Sequence, residues 1–283
     1  MEIRHATHPD DALNLEYQER KDRFVASSLF EADKVNLVYS HEDRMIVGGA
    51  VPSPGSPLPL PNPDELRADF FCMRRELAVV SIGAPAKVSV DGNEYALDYR
   101  DVLYIGRGVK EVVFYSDEEG ADMFLASAIS HTTWPTRLVK YEDADLSDAG
   151  SPETSNVRTI AKHLHEDGEV QTSQLVLGIT SPVSGSVWNS MPPHIHDRRT
   201  EIYCYFGLPK GHRVQHFMGK ADQPVAMTLT NKDTVISPSW SMHFGVGTTN
   251  YEFIWVMAGE NKAFTDMDQV TITDLGESKC CDC

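Results

Sequence analysis

From Phe24 almost to the C-terminus the sequence is a series of short β-rich runs, each closed by a turn signal, and few folds accommodate that pattern. Runs at 35–40, 45–51, 77–82, 86–90, 95–97, 102–105, 111–115 and 123–128 are followed by a second set at 171–179, 185–189, 201–206, 214–218, 225–229, 234–236 and 251–258. Between two of them stands Asp91-Gly92, the dipeptide favoured by a two-residue hairpin turn with positive φ at both central positions. Strands this short and this evenly spaced satisfy their backbone groups in a sandwich or barrel, so the expected class is all-β. Helical character is confined to residues 11–23, a short N-terminal segment. The stretch 52–63 holds six prolines in twelve residues and is expected to be an irregular loop, because proline cannot donate to a ladder.

Two copies of one barrel account for the length of 283 residues. The acidic stretch 141–155, rich in Asp, Ser and Gly, is expected to separate an N-terminal half (1–150) from a C-terminal half (151–275). Setting Arg74-Arg75 against Arg198-Arg199 aligns Arg-Arg-Glu-Leu-Ala-Val-Val with Arg-Arg-Thr-Glu-Ile-Tyr-Cys, and Asp101 to Ile105 then falls on Asp233 to Ser237.

The formal charge of −17 would repel a phosphate backbone and excludes a nucleic-acid partner. No apolar run is long enough for a membrane span, and the N-terminus carries no apolar leader, so the cytoplasm is the expected compartment. Of the five cysteines, Cys72 and Cys204 sit in apolar surroundings that favour a small buried hydrophobe. Cys280, Cys281 and Cys283 crowd into the segment 276–283, read as a flexible tail.

The chemistry is carried by Pro193-His194-Ile195-His196. Side chains alternate along a strand, so His194 and His196 project to the same side. Glu201 lies at odd spacing from His196 and needs a turn or bulge at Asp197-Arg198-Arg199 to join them; His243 can return alongside on a later strand. Three imidazoles and one carboxylate suit zinc, iron(II), manganese, cobalt or nickel, and a site not closed by cysteines keeps positions open for water or substrate. A single histidine or glutamate in a strand is ordinarily a packed or solvated residue. The joint layout, however, resembles the metal motif of the cupins and predicts a bicupin with two jelly-roll halves. His163 and His165 repeat the two-residue spacing without a partner glutamate and are expected to be exposed strand-end residues; His5, His8 and His212 are expected at the surface, and His41, His131 and His216 could line a pocket. The half-to-half alignment puts Phe70, Cys72, Leu77 and Glu111 where the second half has its ligands, which predicts a first half without metal that packs, dimerises or walls the pocket.

At a finer level the sequence resembles the 4-deoxy-L-threo-5-hexosulose-uronate ketol-isomerases, also called 5-keto-4-deoxyuronate isomerases, over residues 1–275. The resemblance runs through Val38-Tyr39-Ser40-His41, Ile46-Val47-Gly48-Gly49, Arg74-Arg75-Glu76-Leu77, Lys110-Glu111-Val112-Val113-Phe114 and His131-Thr132-Thr133. It continues through Arg158-Thr159-Ile160, Trp188-Asn189, Ile236-Ser237-Pro238-Ser239-Trp240-Ser241, Gly245-Val246-Gly247-Thr248 and Phe264-Thr265-Asp266-Met267-Asp268. It departs from the pattern at 52–63 and after Gly276. The resemblance implies one zinc per subunit on His194, His196, Glu201 and His243, a homo-oligomer of hexamer size, and a uronate substrate from pectin breakdown. The implied reaction converts 5-dehydro-4-deoxy-D-glucuronate to 3-deoxy-D-glycero-2,5-hexodiulosonate.

Such an isomerisation needs a base, for which Tyr203, His216 and Glu260 are candidates. The substrate carboxylate needs a cation, for which Arg158, Lys162, Arg198 and Arg199 are candidates. The metal motif taken alone also fits an iron(II) cupin oxygenase, and a metal-bearing but non-catalytic sugar-acid binder is the reading from a different class.

Overall fold

The computed structural model describes residues 1–277, so Cys280, Cys281 and Cys283 lie outside the described residues. Strands dominate and form four sheets: a seven-stranded and a four-stranded sheet in the first half, a seven-stranded and a five-stranded sheet in the second. The two halves repeat one topology. In the first, the strand Arg75–Ser81 lies between Met123–Ile129 and Val102–Ile105; in the second, Arg199–Phe206 lies between Glu252–Gly259 and Thr234–Ser237.

These central strands explain why simple polar–apolar alternation is missing there. Every residue of Arg75–Ser81 and of Arg199–Phe206 is buried. Leu77 and Val79 face the interior of the first barrel, and Tyr203 and Tyr205 face the interior of the second. Their neighbours Ala78, Val80, Ile202, Cys204 and Phe206 join a third core in which the two seven-stranded sheets pack on each other. Apolar side chains therefore fall on both faces, each fully buried one contributing roughly 1.5–3 kcal/mol. Cys72 and Cys204 are buried free thiols, as expected, and burial pushes both up to about 12.

The N-terminal segment is built from two helices, Pro9–Leu13 and Tyr17–Phe24, because Glu16 caps the second with Glu19 in a capping box. Ahead of them Glu2–Arg4 adds a parallel strand to Lys34–Ser40.

Two segments lie across the division expected at residue 150. Val25–Ala26 pairs with Thr234–Ser237, and Asp145–Ala149 pairs with Arg158–Leu164, so both belong to the second half by hydrogen bonding. Asp145–Ala149 reads as linker because it is an edge strand whose acidic and polar side chains meet solvent. The proline-rich stretch is likewise not wholly irregular: Leu58–Pro59 pairs with Val112–Tyr115 as an edge strand, where proline is tolerated.

His163 and His165 are buried, not exposed at a strand end. The register shift between Lys162 and Leu164 alters the facing of this strand end, and His163 packs against the ring of Tyr141 at 6.1 Å.

Candidate metal centre

Three strands from both sheets of the second barrel bring the four predicted ligands together. Trp188–Ile195 carries His194, Met242–Gly247 carries His243, and strand pairing sets these two directly opposite each other. The chain then turns at Asp197-Arg198, closed by the Arg199 amide donating to the His196 carbonyl at 2.8 Å. That turn passes the chain into the other sheet, where Glu201 points inward beside Tyr203. The odd spacing between His196 and Glu201 is thus absorbed by a change of sheet.

The donor atoms converge. His194 Nε2 lies 3.0 Å from His196 Nε2 and 3.2 Å from His243 Nε2. Glu201 Oε2 lies 2.8 Å from His196 Nε2, 2.7 Å from His243 Nε2 and 3.9 Å from His194 Nε2. Donors held about 2.0–2.2 Å from one cation have separations of this order. The far nitrogens are tied down: His196 Nδ1 donates to the Asp266 carbonyl at 2.7 Å, and His243 Nδ1 sits 3.2 Å from Ser237 Oγ. Such bonds leave the Nε2 lone pairs for a metal.

One atom tests the fit. Glu201 Oε2 is buried and has no aligned hydrogen-bond donor among the described residues, although two imidazole nitrogens are within 2.8 Å. A buried carboxylate oxygen in that state costs free energy, and a cation shared with the imidazoles removes the cost. The residues fit a divalent ion.

Charge states agree with that donor set. Burial works to raise the Glu201 carboxyl, but the imidazoles of His243 and His196 outweigh it and hold the group well below the usual carboxylate range. Burial pushes His194 down to about 4 and His216 down to about 3. Unfolded histidines titrate near 6.5, so between that pH and about 4 these two residues bind more protons in the unfolded chain than in the folded one. Metal-stripped protein should accordingly lose stability as pH falls through this window, seen as a falling denaturant midpoint. A midpoint constant from pH 7 to 4 would contradict the neutral buried imidazoles.

Beside the ligands is a cavity of about 240 Å³. A larger groove of about 1000 Å³ beside the helix Tyr17–Phe24 contains no converging ligand set, so the smaller cavity is the chemically furnished one. Arg158 and Tyr203 line it. Arg158 spends one donor on the Asn156 carbonyl at 2.8 Å and has no carboxylate partner among the described residues. Tyr203 shares a 2.6 Å hydrogen bond with Ser190, and burial raises its hydroxyl well above the ordinary tyrosine range, so it stays protonated at neutral pH.

The other candidates sit elsewhere. Glu260 is exposed and does not line the cavity, because Gly259 ends its strand and the chain turns outward. His216 is sealed in the barrel, its Nδ1 2.8 Å from Tyr205 Oη. Lys162 shares a strand with Arg158 but pairs with Asp145 at 2.5 Å. Arg198 is held by Asp266 at 2.6 Å and Asp268 at 2.8 Å. Arg199 is fully buried and donates to the carbonyls of Ala263 at 2.7 Å and Asp266 at 2.8 Å. These two arginines fasten the segment 260–269 over the cavity, to which that segment contributes Phe264, Met267 and Gln269.

Phe264 and Met267 belong to a stretch of the family resemblance but were given no site role, and neither were Gln269 and Trp255, the last of which carries no local signal of a site. Gly178 makes room for Trp255: a Cβ there would stand 2.2 Å from its indole. Trp255 Nε1 in turn donates to Thr180 at 3.0 Å.

In the first half the strand register revises the expected counterparts of the ligands. His194 faces His243 two residues short of a hairpin end, and the same pairing in the first half is Leu58 with Phe114. Leu60 then answers to His196, and Leu77 to Glu201. Leu77 was placed correctly by the alignment; Glu111 was three residues short of Phe114, and Phe70 and Cys72 were each twelve residues beyond Leu58 and Leu60, because the first half has a longer connection ahead of Leu77 than the turn between His196 and Glu201. All four counterparts are apolar: Leu77 and Phe114 are buried in the first barrel's core, and the half-buried Leu58 and Leu60 pack against it. Among the described residues the second half alone has a ligand cluster of this kind.

A family model described as the KduI/IolB family matches residues 24–273. The chain is 44% identical over 277 residues to a 4-deoxy-L-threo-5-hexosulose-uronate ketol-isomerase of Halalkalibacterium halodurans, covering 97% of this chain and 100% of that protein. A protein of the same name from Bacillus subtilis is 41% identical over 276 residues, with 97% and 100% covered. Among solved structures, an IolB-like protein of Salmonella typhimurium matches with a TM-score of 0.68 at 15% identity, covering 87% of this chain and 96% of that one. An oxalate decarboxylase of Lactobacillus farciminis matches at 0.55 and 10% identity, covering 77% and 78%. The architecture is that of a bicupin.

Proposed function

The chain belongs to the KduI/IolB family, and from that membership we propose that it is a metal-dependent ketol-isomerase converting 5-dehydro-4-deoxy-D-glucuronate to 3-deoxy-D-glycero-2,5-hexodiulosonate. The observation that carries this reading is near-full-length identity of 41–44% to proteins named for a uronate ketol-isomerase. Zinc on His194, His196, Glu201 and His243, one per subunit, a hexameric homo-oligomer, a division into two cupin halves and a cytoplasmic location complete the proposal. No described helix is long and apolar enough to cross a membrane.

The residues divide the work. A divalent ion bound there would polarise the substrate carbonyl and neighbouring hydroxyl and stabilise an enediolate. Arg158, charged and without a carboxylate partner among the described residues, receives the substrate carboxylate. Tyr203 and Ser190 form a hydroxyl pair at the cavity wall, and the protonated Tyr203 donates a hydrogen bond to a substrate oxygen. Trp255, Phe264 and Met267 exclude water, which strengthens each of these polar contacts.

The decisive experiment follows the unsaturated-uronate product by NMR with zinc-loaded protein in the absence of dioxygen. Conversion to the 2,5-diketo product is expected without added cofactor, lost on chelation and restored by zinc. Unchanged substrate at full zinc occupancy would defeat the proposal, and turnover that needs iron(II) and dioxygen would establish the oxygenase instead.

A further inference from the structure

The first half has a pocket of its own, of about 350 Å³, whose lining includes Tyr39, His41, Arg44, Phe71, Arg74 and Arg75. Two of these come from Arg74-Arg75, which occupy the place of Arg198-Arg199. Arg75 stands opposite Ile129 at the end of its central strand just as Arg199 stands opposite Gly259.

The two arginine pairs differ in what neutralises them. In the second half Asp266 and Asp268 bind Arg198, and the carbonyls of Ala263 and Asp266 cover Arg199. In the first half no acidic segment among the described residues binds the arginine pair. Arg75 is 5% exposed; its Nε donates to Ser127 Oγ at 3.0 Å, and its Nη2 to the carbonyls of Arg44 at 2.6 Å and Ser127 at 3.0 Å. Arg74 donates to the Arg67 carbonyl at 3.0 Å. Among the described residues none of Arg44, Arg74 and Arg75 is paired with a carboxylate.

Nearby acids are engaged elsewhere. Glu65, which itself lines the pocket, faces the N-terminal amine at 3.6 Å, Glu42 accepts from the Thr7 amide at 3.3 Å, and Asp43 accepts from the Thr200 amide at 2.7 Å. Three guanidinium groups, none of them paired with a carboxylate among the described residues, therefore meet at a concavity whose lining has one carboxylate, Glu65, in a chain whose net charge is −17. A buried cation with no counter-ion is costly, and in the other half carboxylates hold Arg198, the counterpart of Arg74.

We propose that this pocket is a second, non-catalytic binding site for a small carboxylate of the sugar-acid class. The arginines grip the carboxylate, which a guanidinium can do in two places. Tyr39 and Phe71 offer apolar walls to the carbon skeleton, and His41, stacked on His5 at 4.7 Å, offers a ring nitrogen to hydroxyls. The site does not depend on the proposed isomerase activity, since it shares no lining residue with the metal cavity.

Isothermal titration of the metal-loaded full chain with D-galacturonate tests it, with D-galactose and inorganic phosphate as comparison probes. Arg44→Gln and Arg74→Gln change exposed side chains and should fold normally. Each should weaken one D-galacturonate binding event by about tenfold or more, consistent with loss of a charge-assisted pair, while turnover at the metal cavity stays unchanged. D-galactose should not bind there. The proposal is overturned by any of four results: equal D-galacturonate affinity in wild type and both variants, equal affinity for D-galactose, tighter binding of phosphate, or variants that change only the oligomeric state. Loss of the isomerase reading would leave the binding heat intact, so the two failures are distinguishable.

Discussion

His243→Ala is expected to remove metal and activity together, with turnover falling by well over 100-fold. Even residues that merely orient a ligand cost about 10–100-fold when lost, and His243 supplies one of the four converging atoms. The imidazole stands 2.7 Å from Glu201 Oε2 and directly across the sheet from His194. Its removal leaves the carboxylate with one close nitrogen fewer in a site from which water is largely excluded. Metal content by atomic emission, measured beside turnover and circular dichroism, checks this. A folded variant that keeps full metal and full activity would take His243 out of the site. The same measurement on wild-type protein should find one ion per chain, since Leu58, Leu60, Leu77 and Phe114 fill the corresponding places in the first half.

Glu76→Ala should be the most damaging single change away from the metal, lowering unfolding free energy by about 3–5 kcal/mol. Glu76 is fully buried in the first half. Its carboxylate accepts from the amides of Ser173 at 2.7 Å, Gln174 at 2.7 Å and Leu175 at 2.9 Å, all in the second half, and from Tyr104 Oη at 2.8 Å. Alanine would strand three backbone donors at the junction between the halves, beside the core shared by the two large sheets. Glu76→Gln keeps one acceptor oxygen and the side-chain volume, so it should lose less. Denaturant midpoints rank the three proteins. An alanine variant as stable as wild type would show that the junction does not rely on this carboxylate.

The strand series, the single barrel type repeated twice and the cluster of candidate metal ligands were legible because each rests on local pattern. His-x-His reads as one face of a strand whatever surrounds it. The engagement of Arg198 and Arg199 was not legible, for the opposite reason. The carboxylates that hold Arg198, Asp266 and Asp268, and the carbonyls that hold Arg199, Ala263 and Asp266, lie more than sixty residues away, and nothing in the short motif announces which group a guanidinium will meet. The position of Glu260 off the cavity was not legible either, since its exposure is set by the turn after Gly259. Asp145–Ala149 looked like a linker because an edge strand needs no apolar face.

By itself the sequence determined an all-β chain of two related halves and singled out His194, His196, Glu201 and His243 as candidate ligands, since alternation, turn residues and donor chemistry act over a few residues. Only the tertiary structure decided which side chains wall the cavity, which apolar residues replace the ligands in the first half, and which arginines lack a carboxylate partner. Those outcomes depend on sheet register and on contacts between distant segments, and a shift of a single residue in pairing would exchange one face of a strand for the other.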